Sequence, residues 1–331
     1  MDNIKIELKD RRILSALDRD SNASLPQIAK DVLISKQVAE YRINKLISQK
    51  TIYSFFTLID LGMLGYSLFR VHIKLKNVSE LEYLKFVKNL FEDYPTFWVA
   101  FVSGSFDIIA DIWAYNANEF DKTFNQILAK NKKVIYSYDI FPLLELVLYD
   151  YGYFLDKQNI HKKISIFKKE NSVEIDDVDK KILSIIKSNS RVSYEELGRN
   201  VNLTRNSVKY RIKNLERLGI IAGYKIMVDF KHFNRLSYKI FIKYNHAKIE
   251  QEKELLNFIQ GRNGILAHTK LLGKWNLDIE IQPTDAKDLQ KFIIELRSKF
   301  SLIEDYELIQ IIEDYGIDFY PNNLLKLMNR R

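Results

Sequence analysis

The sequence has no cysteine among its 331 residues, which excludes disulfides, thiolate metal sites and cysteine nucleophiles. It opens Met1-Asp2-Asn3-Ile4-Lys5, without the basic start and apolar run of a secretory signal. No apolar stretch reaches the ~18 residues that a membrane-spanning helix needs, so no membrane partner is expected. The glycine fingerprints of a P-loop or a dinucleotide fold are missing. The five histidines, His72, His161, His232, His246 and His268, share no ligand spacing, and no Ser/His/Asp grouping can be assembled. His72 and His268 fall in strand patterns and read as packed side chains. No catalytic residue, metal site or cofactor is therefore expected. What is present is 47% hydrophobic residues, ample for packed cores, and a net charge of +8 that favours an anionic partner. The balance suits a soluble, cytoplasmic, nucleoid-associated protein.

The chain also repeats itself. Residues Asp10–Ile52 align with Asp179–Ile221 without a gap, and twelve of the 43 positions are identical. The landmarks include Asp10/Asp179, Ser24/Ser193, Val32/Val201, Tyr41-Arg42-Ile43/Tyr210-Arg211-Ile212 and Leu46/Leu215. A period this long, with one supersecondary unit per copy, indicates a duplicated two-domain module rather than a solenoid.

Each repeat begins with three short helices. In the second copy, Asp176–Lys187 carries Val178, Ile182, Leu183, Ile185 and Ile186 behind an acidic start, the pattern of a first helix. Ser193 precedes Glu196 by a capping-box spacing, Asn202-Leu203 makes a turn, and Thr204 is an N-cap for a helix over Thr204–Leu218. Gly219 ends it. Val208, Ile212 and Leu215 form an inward stripe, while Arg205, Lys209 and Lys213 form a cationic stripe facing out, flanked by Asn206, Ser207 and Tyr210. A helix of this kind fits the DNA major groove, where Arg and Asn read base edges and Lys and Ser/Thr hold phosphates. A segment over Ile220–Phe230 reads as a following wing strand. The candidate DNA-binding residues of this copy are Thr204, Arg205, Asn206, Lys209, Tyr210, Arg211 and Lys213. The first copy keeps the inward stripe at Ala39, Ile43 and Leu46 but places Lys36, Glu40 and Asn44 where the cations stand; its candidates are Lys36, Gln37, Glu40 and Arg42. It keeps the fold with a weaker hold on phosphate.

A β-α-β-β-α-β pattern follows each helical unit, the order of a ferredoxin-like split βαβ fold. The first runs Tyr66–Lys76, Glu80–Phe91, Phe97–Ser103, Phe106–Ala114, Ala117–Ala129 and Val134–Tyr149. The second runs Leu236–Asn245, Glu250–Gln260, Ile265–Leu272, Trp275–Gln282, Asp285–Lys299 and Leu302–Glu313. Each closes on Asp-Tyr-Gly, at Asp150-Tyr151-Gly152 and Asp314-Tyr315-Gly316. The fold class is α+β, with two winged helix-turn-helix domains alternating with two ferredoxin-like domains. The domains are expected at 1–62, 63–152, 174–233 and 234–331, the last including a C-terminal tail, with a linker at 153–173. That linker is rich in lysine (Lys157, Lys162, Lys163, Lys168, Lys169) and alternates at Ile164, Ile166 and Phe167, which reads as a solvated connector with an extra edge strand.

A winged helix-turn-helix, a β linker and a small ferredoxin-like domain, in that order and twice over, resemble the Lrp/AsnC family of feast/famine transcription regulators. In that family a Gly-x-x-Asp turn between the second and third strands of the ferredoxin-like domain borders the effector pocket. Here the turns read Gly104-Ser105-Phe106-Asp107 and Gly273-Lys274-Trp275-Asn276. The resemblance therefore implies effector-binding residues Gly104, Asp107, Gly273 and Asn276, the second turn weakened by the amide. It implies double-stranded DNA as a partner, an amino acid or related metabolite as effector, and ferredoxin-like domains that pair as dimers, here as an intramolecular pseudo-dimer able to associate further. Two alternatives follow from the same fold. One is an architectural DNA coater with little sequence preference. The other is a relative of sirohaem decarboxylases, which carry histidine, arginine and tyrosine around the second and third strands; Phe97–Ile109 and Ala267–Ile279 hold only His268 and no arginine.

Overall fold

The computed structural model describes residues 6–155, 163–167, 172–244, 249–321 and 323. His161, His246 and the linker lysines Lys157, Lys162, Lys168 and Lys169 lie outside the described residues, as does the tail from residue 324 onward.

The first three helices are α1 (Leu8–Arg19), α2 (Leu25–Val32) and α3 (Lys36–Ser48). Strand β1 (Ile52–Ile59) follows. The first ferredoxin-like unit is β2 (Ser67–Leu75), α4 (Glu80–Asp93), β3 (Thr96–Ser103), β4 (Ile108–Ala114), α5 (Ala117–Lys130) and β5 (Ile135–Tyr149). A short strand β6 (Lys163–Ile166) lies in the linker, where the alternation at Ile164 and Ile166 placed an edge strand, and pairs with Leu146–Tyr149 of β5. The second copy gives α6 (Asp177–Ile186), α7 (Tyr194–Val201), α8 (Arg205–Arg217) and β7 (Ile221–Val228). It continues with β8 (Ser237–Tyr244), α9 (Ile249–Gln260), β9 (Ile265–Leu271), β10 (Leu277–Ile281), α10 (Ala286–Lys299) and β11 (Ile303–Ile317). Polar caps set the helix starts: Ser24, Ser35, Ser193 and Thr204 each accept a hydrogen bond from the backbone N–H three residues on.

The strands read as wings do not fold back locally. Instead β1 and β7 pair antiparallel with each other across the two copies. Each also completes the other copy's helical core. Phe56, Leu58 and Ile59 of β1 pack with Ile182, Leu183, Val208, Ile212 and Leu215 of the second unit. Ile226 and Val228 of β7 pack with Ile13, Leu14, Leu17 and Ile43 of the first. Backbone bonds repeat the exchange: Ser21 N–H donates to Tyr224 O at 3.2 Å, and Ser190 N–H to Phe55 O at 2.7 Å. At the centre the equivalent serines Ser21 and Ser190 meet hydroxyl to hydroxyl at 3.0 Å, so a pseudo-two-fold axis passes between them.

The ferredoxin-like units exchange strands as well. Residues Ile135–Pro142 of β5 pair with β2, and Leu143–Leu148 then cross to β9 of the other copy. Residues Ile303–Ile311 of β11 pair with β8, and Gln310–Ile317 cross to β3. With the pairings β2–β4–β3 and β8–β10–β9, eight strands close into a ring with no open edge, and β6 is appended to β5. The two Asp-Tyr-Gly triplets are not equivalent. Asp150 follows the end of β5, whereas Asp314-Tyr315-Gly316 lies inside β11 on its pairing with β3, so the counterpart of Asp150 is Asp318.

Candidate nucleic-acid interface

Helices α3 and α8 each follow a tight turn whose left-handed residue is Leu33 (φ 60°) in the first copy and Asn202 (φ 55°) in the second. Ala39, Ile43 and Leu46 on α3, and Val208, Ile212 and Leu215 on α8, are buried, so the inward stripes face the cores as their spacing requires. Lys36, Gln37 and Glu40 are exposed, as are Thr204, Arg205, Asn206, Lys209, Tyr210 and Lys213. Tyr210 is 74% exposed and its identical partner Tyr41 69%. Sequence reasoning passed over Tyr41; the signal was an identical aromatic held on the outer face of both copies. Arg205 Nε lies 2.9 Å from Glu195 Oε1, but both side chains are more than half exposed. An exposed pair contributes ~1 kcal/mol at most, so it leaves Arg205 able to exchange partners.

Arg42 and Arg211 are half-buried and ion-paired. Arg42 reaches Asp10 at 2.7 Å and Glu7 at 2.9 Å; Arg211 reaches Asp179 at 2.9 Å and Asp176 at 2.8 Å. Each guanidinium clamps the third helix of its unit to the acidic start of the first, and the carboxylates raise its pKa, Asp10 foremost for Arg42 and Asp179 for Arg211. Their identity in the two copies reflects this shared scaffold contact.

The effector turns are also occupied. Asp107 Oδ2 accepts from Leu75 N–H at 2.7 Å and Oδ1 from Lys74 Nζ at 3.0 Å. Asn276 Oδ1 accepts from Tyr244 N–H at 2.9 Å, the equivalent bond in the other copy. The carboxylate and the amide therefore do the same work, tying the turn to the end of the first strand. Gly104 (φ +147°) and Gly273 (φ +137°) turn where a Cβ would press on Ile309 and Phe141 of the opposite copy, at 2.6 and 3.2 Å. These four residues shape the two turns at the seam between the copies.

Inside the ring lies a buried charge network. Arg70 meets Asp111 with two bonds of 2.7 Å, and Lys239 occupies the equivalent position opposite Glu280 at 3.1 Å. Asp278 bridges the copies, bonding to Arg70 and, at 3.0 Å, to Lys239. Burial opposes the charge on both cations, but the carboxylates outweigh it and raise both pKa values. The Trp98 ring lies 5.6 Å from Arg70 and 4.9 Å from Lys239. His72 lies among Phe106, Phe141 and Phe241 with tilted ring planes, and burial pushes its pKa well down. Among the described residues no group of three or more His, Asp or Glu side chains could hold a metal ion, and no helix is long and apolar enough to cross a membrane.

A chain with two helix-turn-helix units, fastened together by paired strands and borne on a closed ring of ferredoxin-like halves, is a DNA-binding protein of duplicated design. A winged helix-turn-helix DNA-binding family model matches residues 6–52 and again 175–222. The HTH-type transcriptional regulator PH0045 of Pyrococcus horikoshii is 33% identical over 127 residues, 38% of this chain and 82% of the relative. PH0061 of the same organism is 29% identical over 142 residues, 42% of this chain and 94% of the relative. Each relative has the length of one copy. Over the whole chain, the solved structure of the sirohaem decarboxylase NirDL is similar in fold, with a TM-score of 0.64 at 12% identity, covering 97% of this chain and 99% of that one. The chain belongs to the Lrp/AsnC family of transcription regulators, carried here as two copies in one polypeptide. It is a DNA-binding transcription regulator.

Proposed function

We propose that the protein reads an asymmetric DNA site with its two unequal helices, α8 supplying most of the affinity and α3 the selectivity. The observation that carries this is the pairing of β1 with β7, which presents both helices from one rigid body while leaving their outer faces different. Arg205, Lys209 and Lys213 face out on α8, against Lys36, Glu40 and Asn44 on α3. Glu40 repels phosphate unless it accepts from a cytosine amino group. The proposed DNA-facing set is Lys36, Gln37, Glu40, Thr204, Arg205, Asn206, Lys209, Tyr210 and Lys213, with Tyr41 added. Covalent linkage supplies the second reader at high effective concentration without dimerisation. A small metabolite is the proposed effector, acting through the ferredoxin-like half.

Footprinting and titration of point variants test this. Arg205→Ala costs about 1–3 kcal/mol if the side chain reads a base. Lys36→Ala costs less, and Glu40→Lys strengthens non-specific binding. Three phosphate-facing cations (Lys36, Lys209 and Lys213), or four if Arg205 meets phosphate instead of a base, give a log–log salt slope of about −3 to −4. A perfectly palindromic footprint, or equal losses from the two alanine variants, contradicts the asymmetry; similar affinity for unrelated duplexes favours an architectural role.

We read the chain as a regulator without enzymatic activity, despite the fold it shares with NirDL. A tetrapyrrole polycarboxylate needs an excess of cations, whereas the two inside the ring, Arg70 and Lys239, are already matched by Asp111, Asp278 and Glu280. His268 donates to or accepts from Tyr149 Oη at 2.7 Å and is 4% exposed. Incubation with sirohaem should give no bound Soret band; a stoichiometric band overturns this reading.

A further inference from the structure

The outward faces of α3 and α8 differ in chemistry along their whole length, and the difference bears on the bases each can read. Opposite the buried stripe of Ala39, Ile43 and Leu46, the exposed positions at i, i+4, i+7 and i+11 are Gln37, Tyr41, Asn44 and Ser48. On α8 the same positions hold Asn206, Tyr210, Lys213 and Arg217, all exposed. The tyrosines are shared and cannot distinguish the copies. Otherwise the line on α3 carries two amides and a hydroxyl, without charge, whereas the line on α8 turns cationic at Lys213. Ser48 Oγ donates to Lys45 O of its own helix at 2.9 Å, which leaves Gln37 and Asn44.

Those two amides are free. Exposed amides elsewhere bond their neighbours: Gln27 Nε2 donates to Asp31 Oδ1 at 2.7 Å, and Asn200 Nδ2 to Glu196 O at 3.0 Å. Gln37 and Asn44 make no such bond among the described residues. A carboxamide holds a donor and an acceptor side by side. In the major groove that pair matches adenine, with its N6 donor and N7 acceptor, and no other base.

A second, independent difference points the same way. The approach to the helix and its first turn are apolar in the first copy, at Leu33 and Val38, where the second has Asn202 and Ser207. Leu33 is 85% exposed and Val38 38%. The C5-methyl of thymine is the one apolar group that a base pair presents in the major groove. Val38 adjoins Gln37, so a thymine methyl against Val38 and an adenine held by Gln37 suit neighbouring A·T pairs. Asn44 lies seven residues beyond Gln37, about 10 Å along the helix, and so meets a separate base pair. On α8 the leading residue is Arg205, whose guanidinium fits guanine O6 and N7 bidentately once it leaves the exposed Glu195.

We propose that α3 reads an A·T half-site through Gln37, Val38 and Asn44, while α8 reads a half-site containing guanine through Arg205. The assignment rests on the reading of the two helices as unequal DNA readers and supplies the bases that distinguish them.

The test selects bound duplexes from a randomised library with the full chain, and repeats the selection with Gln37→Ala, Asn44→Ala, Val38→Ser and Arg205→Ala. All four side chains are exposed, so the variants keep the fold. The enriched site should have one half with adenines and the other with guanine. Gln37→Ala and Asn44→Ala should each relax the preference at one adenine by about 5–150-fold and leave the guanine half unchanged. Arg205→Ala should do the reverse. On the selected site, deoxyuridine in place of the thymine beside the first adenine should weaken binding by the intact protein about fourfold, the contribution of one buried methyl, and make no difference to the Val38→Ser variant. An asymmetric site whose A·T half does not respond to Gln37→Ala or Asn44→Ala overturns the assignment and leaves two unequal readers standing. A cytosine in that half, lost with Glu40→Gln, does the same. Two identical halves, or no enriched sequence at all, overturn both.

Discussion

Where the first copy fills a corner with Tyr66, Trp113 and Tyr115, the second places Arg235, Gln282 and Thr284; where the first has Ile109, the second has Asp278. In a homodimer every substitution appears twice about the axis, so a bridging Asp278 would face a second Asp278. Joining the copies removes that constraint. Each half keeps what both need, such as the arginine clamps and the strand exchange, and changes the rest independently. The outer faces of α3 and α8 diverge under the same freedom.

The largest effect expected from breaking the comparison is inside the ring. Arg70→Met strands Asp111, which is 1% exposed at its side chain, and deprives Asp278 of one partner. A loss of about 3–5 kcal/mol in denaturant unfolding is expected. Lys239→Met should cost less, because Glu280 is 24% exposed and can hydrate while Asp278 keeps Arg70. Equal losses would show that the two halves of the network are equivalent after all.

The next effect concerns His268, whose counterpart Val99 cannot titrate. Burial pushes the His268 pKa down to about 4, against an unfolded value near 6.5. The folded state therefore refuses a proton that the unfolded chain accepts between about pH 6.5 and 4. Stability is unaffected above that window and falls as pH drops through it, by up to about 3 kcal/mol. His268→Val with Tyr149→Phe should flatten that part of the pH–stability curve; an unchanged slope would assign it to other groups.

The clamps sharpen the comparison at the DNA-facing units. Arg42→Ala should destabilise by about 1.5–3 kcal/mol, since it leaves a nearly buried Asp10 without a countercharge, held only by the Glu7 N–H. Arg211→Ala should cost less, because Asp179 is more exposed than Asp10. Intrinsic DNA affinity, measured where each variant is folded, should be retained. Unchanged stability with weakened DNA binding would return these arginines to the interface.

The smallest effects lie in the turns. Leu33 and Lys50 (φ 55°) hold left-handed conformations that the second copy assigns to Asn202 and Gly219. Leu33→Asn and Lys50→Gly should each stabilise by about 1 kcal/mol, read as a higher Tm, because a branched or long L side chain is strained there. A lower Tm for either would mean that the first copy's side chain makes a contact that offsets the strain.

Much of the secondary structure was legible in the sequence because its causes are local. Helix α8 was marked by Thr204, the 3.6-residue stripe of Val208, Ile212 and Leu215, and Gly219; β6 was marked by Ile164 and Ile166. The outward face of α8 was legible for the same reason, since a stripe that buries one side must expose the other. The clamps of Arg42 and Arg211 were not legible because their partners, Asp10 and Asp179, lie about thirty residues away along the chain, and a cation on a helix looks the same whether it faces a carboxylate or water. The bond from Leu75 N–H to Asp107 was not legible because that N–H belongs to a different strand.

By itself the sequence determined the duplication, the order of the elements, and which faces of the helices turn inward, since periodicity and caps act within a few residues. Only the tertiary structure decided that β1 and β7 complete each other's cores and that β5 and β11 cross between copies to close the ring. It also decided that Arg70 and Lys239 share Asp278. Strand pairing and buried charge are contacts between residues far apart in the chain, and the alternation that marks a strand is the same whichever copy it joins.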